Sequence, residues 1–137
     1  MATSPWIARG FQLAGAVNLG GVLLFSKAFT NAYLSELDPQ VFSTFGLVAI
    51  CLWGLAYLAV AGCYRQAKWV VAVFVVEKLV YVTAWVAWMV RQGSQLPTIF
   101  ETSPLTGTFF AIYGPNDLLF AVFFGWVFLE ARRAGYG

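Results

Sequence analysis

The sequence predicts an all-α integral membrane protein, a four-helix transmembrane bundle with both ends cytoplasmic, and three observations carry the prediction. Of the 137 residues, 61% are hydrophobic and 10% are charged, against about 45–50% and about 25% in soluble domains. The apolar residues fall into four blocks, at about 10–30, 42–62, 68–90 and 108–130. Each block is near the ~20 residues that cross a hydrocarbon layer of about 30 Å. Lys and Arg gather at alternate block ends, the asymmetry that orients a multispan chain. The blocks and their short connections use nearly all of 1–137, so a single domain with no separate soluble catalytic domain is expected.

Block 1 follows Ser4-Pro5, a capping side chain with proline at the first helical position, and runs to Phe29. It is too long for the apolar region of a signal peptide, so cleavage is not expected. Asp38-Pro39 offers the same start chemistry before block 2, where Gly62 is placed to end the helix. Block 3 runs from about Lys68 to Val90, and Ser103-Pro104 precedes block 4. The stretch from Arg91 to Gly107 is the longest connection and therefore the candidate for a lid or an interfacial segment.

Arg9, Arg65, Lys68, Arg132 and Arg133 fall on one side of the blocks, and Lys27 and Arg91 fall on the other with Glu36, Asp38 and Glu101. The positive side is expected to be cytoplasmic, in a plasma or bacterial inner membrane. Trp6, Tyr33, Tyr64, Trp69, Trp88 and Tyr136 lie near the expected boundaries, where amphipathic rings favour the headgroup layer.

Composition also excludes functions. A net charge of +2 with no long basic run disfavours nucleic acid as a partner, leaving the lipid bilayer, a second copy of the chain or a larger membrane complex. The chain has no His, the usual axial ligand of b-type haem and the commonest ligand of zinc. Cys51 and Cys63 form no Cys-x-x-Cys motif and read as small core residues. Neither a metal nor a cofactor is expected.

One set of residues is out of place in lipid: Asn18 in block 1, Glu77 and Lys78 in block 3, and Asn116 and Asp117 in block 4. At about 1.5 Å per residue all five fall near mid-membrane. An ionised group there costs about 2.5–3.5 kcal/mol even on the lenient insertion scale, so these side chains must turn inward and pair. Lys78 with Asp117 is the expected ion pair, with Glu77 protonated or bonded by Asn116, Asn18 or Tyr81. Glu77 and Lys78 can both face inward only if their helix is central. A purely structural role, fixing register at about 0.6–2 kcal/mol per contact, competes with a functional one.

Small residues point to close packing along Gly10, Ala14, Asn18 and Gly21, and at Gly46, Gly54 and Ala61. Tyr113-Gly114-Pro115-Asn116-Asp117 predicts a kink or a break, because proline frees the carbonyl of Ala111. Discontinuous helices of that kind recur at transporter sites. Trp53 and Tyr57, one turn apart, fill the core or wall a pocket. Three functions follow: a polar centre that binds or relays a proton, ion or small ligand; an enzyme using Glu77 and Asp117 as acid and base on a lipophilic substrate; or an accessory subunit of a membrane complex.

Overall fold

The computed structural model describes residues 4–135, helices joined by turns and short connections and without a strand among them. Tyr136, one of the expected boundary rings, lies outside the described residues. Helix α1 spans Pro5–Phe25, α2 Ala32–Leu37, α3 Thr44–Val60 and α4 Lys68–Gln92; a 3₁₀ turn at Gly93–Gln95 leads to α5, Leu96–Thr102, and α6 spans Pro104–Arg133. Three segments are long and apolar enough to cross a membrane, those beginning at Pro5, Lys68 and Pro104, and α3 is a shorter apolar helix of 17 residues.

The local chemistry explains the boundaries, including those that differ from the sequence expectation. Helix α1 stops at Phe25 instead of reaching Phe29, because the chain turns left-handed at Lys27, Ala28 and Phe29, with φ of 50°, 55° and 68°. The Ala28 amide donates to Leu23 O and the Lys27 amide to Leu24 O, which satisfies two helix-end carbonyls by a Schellman pattern. Asn31 then closes the end, donating from Nδ2 to Phe25 O at 2.9 Å. Asp38-Pro39 does not start α3. Ser43 does, its Oγ accepting from the Gly46 amide at 3.1 Å, and Gly46 is required because a Cβ there would lie 2.0 Å from Val41 O. Ser103 caps α6 as expected, accepting from the Thr106 amide. Gly62 is not a left-handed terminator, since α3 ends at Val60 with Ala61 in the right-handed region.

The helices pack as two close pairs, α1 along α3 and α4 along α6. The first pair touches backbone to backbone: a Cβ on Gly15 would lie 2.8 Å from Gly54 O. The second is tightest where a Cβ on Gly114 would lie 2.1 Å from the Trp85 ring. Trp85 Nε1 donates to Phe110 O at 2.7 Å, so an indole satisfies a carbonyl in the turn before Pro115. Helix α6 runs through Pro115 without a break, which removes the broken-helix alternative.

The ends of the pairs segregate the charges. At the basic end, the Ser4 amide donates to Tyr64 Oη at 2.9 Å, Arg65 pairs with Glu130 at 3.4 Å, and Trp6 lies against Trp126. At the other end Asn31 Nδ2 donates to Thr106 Oγ1 and Trp88 Nε1 to Leu37 O. Trp88 and Tyr64 are fully buried, while Trp6 and Trp69 are well exposed. Cys51 is half-buried, and Cys63 is exposed and not in the core. The 91–107 connection is ordered as the 3₁₀ turn and α5, held on α6 by Phe100 against Gly107.

Candidate functional site

The polar residues that the sequence sets at one depth meet between the two helix pairs. Lys78 Nζ donates to Asp117 Oδ1 at 2.9 Å and to Asn18 Oδ1 at 3.3 Å, joining α4 to α6 and α1. Asn18 Nδ2 donates in turn to Ile50 O of α3 at 3.0 Å. Lys78 is 1% exposed and also sits over the rings of Tyr57 and Phe120, at 5.1 and 5.8 Å from their centroids. Its charge is fully engaged by an anion, an amide oxygen and two π faces.

Glu77, the next residue, points to a different helix: Tyr57 Oη of α3 donates to its Oε1. Neighbours about 100° apart on a helix can both be satisfied inside only where that helix has partners on two sides, and α4 has them in α3 and α6. The partner differs from the expected Asn116, Asn18 or Tyr81. Nothing short of the tertiary packing singles out Tyr57, although its position one turn from Trp53 marks the right face. Asn116 is half-buried and only borders the centre, its Nδ2 3.5 Å from Asp117 Oδ1. Trp53 stands edge-on to Phe74 at 6.2 Å and does not line the site.

Beside this centre is a cavity of about 120 Å³. Its polar floor is Asn18, Glu77, Lys78, Tyr81, Asn116 and Asp117, and its apolar walls, which include Phe42, Leu47, Phe109 and Tyr113, extend toward the end that carries Glu36 and Asp38. The volume takes several waters or one small organic molecule. Two buried polar atoms of lining residues lack hydrogen-bond partners, Glu77 Oε2 and Tyr113 Oη. Unsatisfied buried groups are rare in native proteins, because each costs about 1–3 kcal/mol.

The site thus joins Asn18, Lys78 and Asp117 by direct bonds, sets the bonded pair Tyr57 and Glu77 beside them, and brings Tyr81, Tyr113 and Asn116 to the same cavity. Sequence reasoning missed Trp85, which packs on Gly114 and bonds Phe110 O to hold α4 to α6; the Gly-Pro pair in the middle of block 4, read there only as a kink or a break, was the available signal. Among the described residues no group of three or more His, Cys, Asp or Glu is arranged to hold a metal ion. Comparison with protein-family models, with curated proteins and with solved structures finds no match.

Proposed function

We propose that this chain is a four-span integral membrane protein, with both termini cytoplasmic, whose buried polar centre binds a small ligand. The membrane reading is supported by the three long apolar helices and by the apolar surface they present outward, such as Val90 at 81% exposure. Helix α3 makes the fourth crossing: its 17 residues span about 26 Å at 1.5 Å each, and Phe45 at its start is 86% exposed. Arg9, Arg65, Lys68, Arg132 and Arg133 at one end favour that end as the cytoplasmic one.

The observation that carries the binding reading is that two residues lining a cavity beside an otherwise bonded network, Glu77 and Tyr113, each carry a buried oxygen without a hydrogen-bond partner. A purely structural network has no need to leave a carboxylate oxygen unbonded at a cavity. Relay across the membrane is less well supported, because the centre is backed toward the basic end by close-packed rings of Phe11, Tyr57, Phe74 and Phe124. As an enzyme the centre would have Glu77 as its base, since Asp117 is engaged by Lys78.

The test is a fragment screen by ligand-observed NMR on the purified protein in lipid nanodiscs. The proposal expects binders that are lost in a Leu47→Trp variant, which fills the cavity. A screen without binders, or with binders indifferent to Leu47→Trp, would contradict it.

A further inference from the structure

We infer that the cavity receives a small amphipathic ammonium, which enters from the bilayer interface along the seam between α1 and α6 and is held by Glu77. This rests on the ligand-binding reading above and adds the ligand's charge, size and route.

The charge follows from what each group already does. Lys78 is 1% exposed and its charge is already balanced by Asp117 and engaged by Asn18 and two rings, which disfavours it as the anchor of an incoming anion. Glu77, a residue of the cavity lining, keeps one buried oxygen without a donor. A carboxylate oxygen lacking a donor matches a ligand that brings N–H donors on a positive centre. A bare divalent ion fits less well, since such ions take about six oxygen ligands and most of this lining is apolar.

The walls complement an organic body. Phe42 meets Tyr113 edge to face at 5.1 Å, and Phe109 stacks on Tyr113 at 5.2 Å, giving a ring cluster at the cavity side. Such a cluster favours both an apolar group and an adjacent cation. Since an engineered apolar cavity of about 150 Å³ holds benzene, the body is of about six to eight heavy atoms.

The route is the open stretch of the α1–α6 seam. Near the basic end that seam is shut, with Trp6 against Trp126 at 5.1 Å and no room for a Cβ on Gly10 beside Phe123. Phe25 and Phe109 meet at 5.2 Å near the other end. Between them, Gly21 has open space where a side chain would stand and Ile112 is 46% exposed, and both residues line the cavity.

The experiment compares three aromatic probes of similar size and different charge, benzylamine, benzyl alcohol and benzoate, titrated by ligand-observed NMR against the full chain in nanodiscs. Benzylamine is expected to bind at least tenfold tighter than either other probe. That binding should fall at least tenfold in Glu77→Gln and also in Gly21→Leu, a variant that narrows the seam without touching the polar centre. Monodisperse elution and helical circular dichroism establish that each variant is folded, and Gly21→Leu carries the test if Glu77→Gln does not assemble. Equal binding of the alcohol, preferred binding of benzoate, or benzylamine binding unchanged in the folded variants would overturn the inference while leaving a ligand-binding cavity. Binding of none of the three probes would overturn both.

Discussion

The two halves of the bundle, on either side of the Lys78–Asp117 pair, solve the problem of packing the same four helices in opposite ways. Toward Arg9 and Arg132, Phe11, Tyr57, Phe74 and Phe124 meet with ring centroids 4.9 to 6.5 Å apart, and every one of them is buried to within 1% exposure. Toward Glu36 and Asp38, rings are as numerous, but Phe42, Phe109 and Tyr113 gather on one wall and leave about 120 Å³ beside them. Helices in lipid gain little from the hydrophobic effect on associating, so in a chain that spans a membrane, as proposed above, contact and hydrogen bonding must hold them. The close-packed half supplies the contact. The half with the cavity forgoes some of it, and the centre between them supplies bonds that tie all four long helices.

The sharpest way to break this division is to remove one member of the central ion pair. Lys78→Met or Asp117→Asn leaves a buried charge alone, which costs about 3–5 kcal/mol, and the double variant should recover much of that loss. Folded yield and thermal unfolding in detergent measure it; additive losses would show that the pair does not divide the bundle. The next largest effect distinguishes the halves directly. Phe124→Ala, in the closed half, should cost about 2 kcal/mol from the void alone, with little transfer from water to add. Leu47→Phe, which grows into the cavity, should change stability by less than about 1 kcal/mol.

The polar centre between the halves was legible in the sequence, and the contrast between them was not. Lys78 and Asp117 could be paired from their depth alone, because lipid leaves an ionised side chain few alternatives. Ser103-Pro104 marked its helix start for an equally local reason. What the sequence could not supply were contacts between helices. Tyr57 as the donor to Glu77 depends on which face of α3 meets α4. Of the expected stripe Gly10, Ala14, Asn18 and Gly21, Asn18 meets Gly54 of α3, while Gly10 faces Phe123 of α6, Gly21 has open space, and Gly15, outside the stripe, also packs on Gly54. Asp38-Pro39 misled because its start signal is outcompeted by Ser43, whose hydroxyl has the Gly46 amide in reach.

Smaller effects sharpen the account at the edge of the cavity half. Trp85→Phe removes the indole bond to Phe110 O and should cost about 0.6–1 kcal/mol in thermal unfolding. Asp38, in the connection before α3, has its carboxyl pushed above the ordinary value of 3.8 by burial, against the lowering effects of the Val41 amide and Arg91. With the folded value above the unfolded one, the unfolded state binds fewer protons as pH rises from about 3.8 through the raised value. Stability contributed by this group is therefore present below that window and lost across it. Asp38→Asn should flatten that decline, and a steeper decline in the variant would contradict the assignment.

The most direct test of the division itself is thiol accessibility in membranes, with Cys51 and Cys63 replaced by Ala. Single cysteines at Leu47, in the cavity lining, and at Phe124, in the closed half, are exposed to a small membrane-permeant thiol reagent. The account predicts rapid modification at position 47, at least tenfold faster than at position 124. Equal rates at the two positions, or faster reaction at 124, would contradict it.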